Sequence, residues 1–335
     1  MTIDASRAAS CDRTTVDAPS PEVIDAAIEA AHAVAHATLV LVIETDGSTY
    51  AQTGGMALFG PGAAQTGWLS GGCLEPEIAR RATQAAADGR LDWIEIDTRD
   101  DDALMSGAAL GCRGRLRLAV LPLAAMPDVQ APLQAWRAGG VVLQVSVTRD
   151  GAVVVTAGSV RRDWHMPTTP PDWDTGPAWS LSIAAPPELL LCGGGPETPI
   201  LLPLLRRLGW RTTLVERRAR WTPMAVFADR HRSDGLDAVL AGDTRFEAAL
   251  LMHHNFELDL DALIALADAP VPFVGLLGPG RRRDDLFRVV PDALHASLRP
   301  RLRSPVGLDL GGRGADAIVL SIAAQLQAWW HGRTP

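Results

Sequence analysis

Residues 189–218, LLLCGGGPETPILLPLLRRLGWRTTLVERR, constrain the fold more than any other stretch. An apolar β-type run enters a glycine cluster, a segment of helical length follows, and a second β-rich run ends in an acid. Strand, glycine loop, helix and strand within about 30 residues form the opening unit of a dinucleotide-binding half-fold. Gly193 and Gly195 take the first two glycine positions of that fingerprint, and Thr198 stands where the third glycine or alanine belongs. Glu216 ends the second strand, 21 residues beyond Gly195, where an acid accepts hydrogen bonds from a ribose diol. Pro196-Glu197 opposes that reading, because a carboxylate at the helix N-terminus competes with a pyrophosphate for the same positive dipole end. With VPFVGLLG at 271–278 and a final helix at 316–330, the expectation is an α/β, Rossmann-like C-terminal domain with a parallel sheet over 188–331.

The upstream half carries other patterns. Residues 1–20 are polar and read as a disordered lead-in. Ser20 and Pro21 supply an N-cap and first helical position for an opening helix over 21–37. TLVLVIET (38–45) and GGMALFG read as strands on either side of a loop that begins Asp46-Gly47-Ser48-Thr49. TGWLSGGCLEPEIARRATQAAADG starts as a strand at 66–70 and turns helical from Pro76 to Ala87, which puts Cys73 and Glu75 at a strand-to-helix junction. LDWIEIDT (91–98) and RGRLRLAVLPL (113–123) alternate as strands and complete an α/β domain over 21–125. Residues 126–187 read as a sheet extension, with a short helix and the strands VVLQVSV and AVVVTAG, followed by a Pro/Trp-rich linker.

Composition removes several classes of function. A length of 335 residues favours two domains, each with its own core. No run approaches the roughly 20 apolar residues of a membrane-spanning helix, and the N-terminus lacks the apolar stretch of a secretory signal, so a cytoplasmic location is expected. The cysteines at 11, 73, 112 and 192 are too scattered for a disulfide framework and match no zinc spacing. A net charge of -8 argues against a nucleic-acid backbone as partner. All 31 basic residues are arginine, which removes Schiff-base and P-loop lysine chemistry.

Five further stretches carry reactive groups. In SGGCLE, Gly71 and Gly72 allow close backbone approach, and free N–H groups at the helix start would lower the pKa of the Cys73 thiol; the alternative is a small cysteine packed under a tight turn. Cys112 in LGCRG has a similar setting, functional or inert. LMHHNFELD places His253 and His254 after a short strand with Glu257 and Asp259 close behind, a set able to bind metal, relay protons or hydrogen-bond a heterocycle, with His254 the candidate. Arg281-Arg282-Arg283 follow a glycine turn and suit either a solvated face or a phosphate clamp. His32 and His36, four apart on the opening helix, lack a third ligand nearby and read as helix surface.

Taken in order, IETDGSTYAQTGGM, SGGCLE, LGCRG, CGGGPE, LMHHNFELD, FVGLLGPGRRR and PVGLDLGGRGADAIVLSI resemble the XdhC/CoxI family, accessory proteins of xanthine dehydrogenase and related molybdenum hydroxylases, over roughly residues 25–330. The resemblance implies an XdhC/CoxI-type N-terminal domain joined to a Rossmann-like one, commonly as a homodimer. It implies a chaperone rather than an enzyme: one that binds the molybdenum cofactor, as molybdopterin or its dinucleotide form, protects it, supports its sulfuration with a cysteine desulfurase, and inserts it into the apo-hydroxylase. On that basis Cys73 and Cys112 are candidate molybdenum or sulfur contacts, Ser48 and Glu75 their polar neighbours, and Gly71, Gly72, Gly193 and Gly195 backbone approaches. Glu216 and His254 complete the cofactor-binding set. The chain departs from the family's pattern at Arg113, Ala317 and Gln325. Two other readings compete: an NAD(P)-dependent oxidoreductase working through Glu216 and His254, and a cofactor-free scaffold using some of the ten tryptophans as interface anchors.

Overall fold

The computed structural model describes residues 14–16, 21–33, 35–99, 113–173 and 176–332. Cys11 and the candidate Cys112 lie outside the described residues. The chain divides into two compact units, Met1–Ala185 and Pro186–Pro335.

The first unit contains β1 (Thr14–Val16), α1 (Pro21–His32), β2 (Thr38–Gly47), β3 (Met56–Phe59), β4 (Gln65–Thr66), α2 (Glu75–Asp88), β5 (Asp92–Asp97), β6 (Gly114–Pro122), α3 (Gln130–Arg137), β7 (Leu143–Thr148), β8 (Ala152–Ala157), β9 (Val160–His165) and β10 (Ala178–Ile183). One antiparallel sheet has the order β4-β3-β2-β6-β5. Its strand β2 is buried on both faces because successive side chains alternate. Val40 and Val42 pack with Ile78, Ala82 and Ala85 of α2, while Leu39, Leu41 and Ile43 join Trp136, Val145 and Leu181 in the larger core.

The second sheet of this unit has the order β1-β10-β7-β8-β9, parallel between β1 and β10 and otherwise antiparallel. It corrects two expectations. AWSLSI, placed within a linker, pairs with β7 from Ala178↔Thr148 to Ile183↔Leu143, since Trp179, Leu181 and Ile183 alternate inward. Residues 14–16, placed in a disordered lead-in, pair with Leu181–Ile183. The helix α1 also stops at His32 rather than at residue 37.

The second unit contains β11 (Glu188–Cys192), α4 (Thr198–Arg207), β12 (Arg211–Val215), β13 (Arg230–Arg232), α5 (Leu236–Leu240), β14 (Ala248–Leu251), α6 (Phe256–Ala267), β15 (Phe273–Leu276), α7 (Gly280–Phe287), α8 (Asp292–Leu298), β16 (Leu302–Arg303) and α9 (Ala315–Trp330). Six parallel strands lie in the order β13-β12-β11-β14-β15-β16. The sheet is covered on both faces, so its central strands are apolar throughout. Leu189 and Leu191 pack with Leu201, Leu205, Ile322 and Leu326 of α4 and α9, and Leu190 and Cys192 pack with Leu263 and Leu266 of α6. This is the doubly wound Rossmann order, with its topological switch between β11 and β14. No helix among the described residues is long and apolar enough to cross a membrane.

Candidate functional site

In the first unit, the segment after β4 is a turn rather than the expected strand at 66–70. The reason is Glu75: its Oε1 accepts the N–H groups of Leu69 (3.1 Å) and Ser70 (2.8 Å), which are therefore unavailable to a neighbouring strand. The Ser70 hydroxyl donates to Oε2 of Glu75, and its oxygen accepts N–H bonds from Gly72 (3.1 Å) and Leu74 (3.2 Å). The turn is thus wound around one serine and one buried carboxylate. Burial raises the Glu75 pKa, but the Ser70 hydroxyl and the N–H groups of Ser70 and Leu69 outweigh it and hold the carboxyl below its ordinary value.

Cys73 emerges from this turn with an exposed thiol, so the packed-cysteine alternative does not hold. Its Sγ lies 4.0 Å from Ser70 Oγ. The Gly72 and Leu74 N–H groups, which flank the cysteine in the chain, are taken by Ser70. At Gly71 and Gly72 an added Cβ would meet no heavy atom within 4 Å, so the backbone just before the cysteine is open. Glu75, expected to face a ligand beside Cys73, faces inward and shapes the turn. Ser48 lies exposed just beyond the end of β2, its N–H bonded to Arg113 O at 2.9 Å. Thr38 Oγ1, at the start of β2, donates to Ala82 O at 2.8 Å in the second half of α2.

In the second unit, the glycine loop sits at the switch point, but its donors point inward. Gly193 N bonds to Val215 O at 3.0 Å, Gly194 N to Glu216 Oε2 at 2.7 Å, and Gly195 N to Thr198 Oγ1 at 2.9 Å. Pro196 has no N–H to offer. Glu216, expected to accept from a ribose, is instead buried and held by Arg218. The Arg218 N–H (2.7 Å) and Nε (2.9 Å) reach Oε1 of Glu216, and Arg218 Nη2 reaches Oε2 (2.7 Å). Burial raises the Glu216 pKa, but the bonds from Arg218 and Gly194 prevail and lower it. Arg218 also donates to the carbonyls of His253 (2.8 Å) and Gly194 (3.1 Å), bracing the ends of β11 and β14.

The two histidines face this loop from the other side of the switch. Asn255 caps α6 by accepting the Leu258 N–H at 2.9 Å, which fixes where the chain leaves β14 and turns. His253 Nδ1 lies 2.9 Å from Asp259 Oδ1, and Arg282 Nη2 donates to Asp259 Oδ2 at 2.6 Å, so Arg282 serves neither as solvated surface nor as a phosphate clamp. His254 takes a left-handed backbone (φ +53°), and its Nε2 lies 3.2 Å from Oε2 of the buried Glu197. Each imidazole therefore has one nitrogen set against a buried carboxylate, the arrangement that orients the other nitrogen toward a ligand or proton. Cys192, beneath the loop, is buried, and burial pushes its thiol well above the ordinary range, so it is no nucleophile.

The structure brings together Gly193, Gly195, Glu216 and His254 at one switch point, and Gly71, Gly72, Cys73 and Glu75 in one turn. Sequence reasoning passed over Ser70 and Arg218, although a serine before the glycine pair and an arginine two beyond Glu216 were visible signals. Gln325, a departure from the family pattern, accepts the Gly307 N–H at 2.9 Å, and His32 Nε2 lies 2.9 Å from Gln134 Nε2. Among the described residues no three His, Cys, Asp or Glu side chains converge as a protein metal cage requires.

Residues 27–96 match the model of the XdhC and CoxI family, and residues 189–326 match that of the XdhC Rossmann domain. A relative from Bacillus subtilis (strain 168), named as a probable subunit of xanthine dehydrogenase, is 24% identical over 309 residues, spanning 87% of this chain and 92% of its own length. A crystal structure named as a xanthine dehydrogenase from Bacillus halodurans shares the fold, with a TM-score of 0.69 at 24% identity over 92% of this chain and 96% of that one.

Proposed function

This chain belongs to the XdhC and CoxI family, and on that premise we propose that it is a non-catalytic accessory protein of a xanthine-dehydrogenase-type molybdenum hydroxylase, binding the molybdenum cofactor and delivering it to the apo-enzyme. Its partners in this reading are the apo-hydroxylase, a cysteine desulfurase and a second copy of the chain, in the cytoplasm.

The observation that carries the reading is the exposed Cys73 thiol on a turn wound around Ser70 and Glu75, with open backbone at Gly71 and Gly72. A soft sulfur donor suits a molybdenum or sulfur centre, and with no three-ligand cage among the described residues the metal would arrive already chelated, as it does in a dithiolene pterin. When bound, the cofactor supplies the molybdenum and sulfur chemistry that the client enzyme uses. Cys73 would contact that centre, and the Gly71-Gly72 backbone would admit it closely. The loop Gly193–Gly195 does not fit the pyrophosphate of a dinucleotide, since its N–H groups are already bonded within the chain. That favours the molybdopterin form as cargo and weighs against an NAD(P)-dependent oxidoreductase.

Anaerobic purification from a molybdate-replete host, with metal analysis and fluorescence of the oxidised pterin, tests the proposal. Near-stoichiometric molybdenum and pterin are expected, with a strong reduction in Cys73→Ala. Full cofactor content and full client activation in both Cys73→Ala and Cys112→Ala would make the thiols structural. Absence of pterin, even after incubation with free cofactor, overturns the carrier reading.

A further inference from the structure

Beside the switch point of the second unit lies a cavity of about 760 Å³, between the ends of β11 and β12 and the helix α6. Doubly wound sheets take the planar base of a nucleotide at the carboxyl ends of their strands beside such a switch. Val215, Leu236 and Ala265 provide apolar walls, and the Cys192 thiol, kept neutral by burial, also lines the cavity. His253 borders the cavity with Nδ1 already held by Asp259, so its remaining ring nitrogen is the one that can meet a ligand. Asp237 and Asp261 line the cavity as exposed carboxylates, acceptors for ring N–H or exocyclic amine groups.

The surroundings disfavour phosphate. The N–H groups of Gly193, Gly194 and Gly195 are bonded inside the chain, and Pro196 carries none. Arg218 is bound to Glu216, which leaves Arg217 as the remaining cation among lining residues that include Asp237, Asp261 and Asp268. An anionic group here would meet a net negative rim.

We propose that this cavity binds a purine-type heterocycle, as free base or nucleoside, and rejects its phosphorylated forms. The inference is independent of the cofactor reading at Cys73.

Calorimetric titration of the full chain with adenine, guanine, adenosine, guanosine, AMP, GMP and NAD tests it. At least one base or nucleoside should bind saturably and raise the melting temperature, since a ligand held by the folded state alone does so. Its phosphorylated counterpart should bind at least about tenfold more weakly, the effect of one unfavourable charge contact of ordinary size. The comparison of base with nucleoside decides which of the two is held. Ala265→Trp, filling the cavity from a half-buried position on α6, should abolish binding. If that variant does not fold, Asp237→Ala/Asp261→Ala, which removes both acceptors, replaces it and should weaken binding roughly tenfold or more. Absence of any purine binding by the folded wild type, binding of AMP, GMP or NAD as tight as that of the nucleosides, or unchanged binding in the folded variant overturns the proposal.

Discussion

The Oε2 atom of Glu216 lies 2.7 Å from the backbone nitrogen of Gly194, closing the glycine loop against the end of β12. The same carboxylate holds Arg218, which in turn braces the carbonyls of Gly194 and His253. Glu216→Ala would leave a loop N–H unbonded and a half-buried guanidinium without its partner. A loss of about 3 kcal/mol in unfolding free energy is expected, since removing one partner of a buried charged pair costs about that much. Urea denaturation of the variant measures it; a change below about 0.5 kcal/mol would show that the loop does not depend on this acid.

The same bonds set a pH dependence. Glu75 and Glu216 both have carboxyl pKa values held below the ordinary one in the folded chain. The stability they contribute is fully present above the unfolded value of about 4.3 and is lost as pH falls through the lowered folded values. The urea midpoint should therefore hold between neutral pH and about pH 5 and drop in more acidic solution. Glu216→Gln and Glu75→Gln should each flatten that acid limb, and an acid limb as steep as the wild type's in the double variant would remove both residues from the explanation.

Glu75 also predicts a local effect on the thiol turn. In Glu75→Ala the N–H groups of Leu69 and Ser70 lose their shared acceptor, at an expected loss of about 2 kcal/mol. Amide exchange at residues 69–74 should accelerate well beyond that in β2 or β6. Equal protection of the turn in variant and wild type would place the hold on this segment elsewhere.

Cys73 and Cys192 should differ sharply in reactivity, one exposed and one buried with its thiol kept protonated by burial. In a Cys11→Ser/Cys112→Ser background, a disulfide-exchange reagent should titrate one thiol rapidly and the second after denaturation. Cys73→Ala should remove the rapid phase while moving the urea midpoint by an amount equivalent to less than about 0.5 kcal/mol, as is usual for surface positions.

Gly193 has φ +93°, and a Cβ there would come within 2.6 Å of the His253 ring. Gly193→Ala combines a left-handed backbone with that clash and should lower stability by about 3 kcal/mol, most of it from displacing His253. Gly71→Ala, where no heavy atom lies within 4 Å, should have an effect smaller than about 1 kcal/mol. Similar effects of the two substitutions would contradict the different packing of the two glycine turns.

The amino-acid sequence by itself determined the local elements whose hydrogen bonds close nearby or whose apolar pattern has a clear period. The β11–α4–β12 unit, the strands β2, β5 and β6, and the helix α9 were legible for that reason. The alternation in AWSLSI was legible too, but its neighbouring prolines and tryptophans masked it until pairing with β7 made it a strand. Pairing between distant segments, such as residues 14–16 with β10, leaves no local trace. The same holds for the acids. Spacing placed Glu216 at a strand end and Glu75 at a helix start, but tertiary structure decided that both turn inward to take up backbone N–H groups. A carboxylate near unbonded N–H groups in a buried turn is bound by the closest donors, and the folded backbone alone brings those donors within reach.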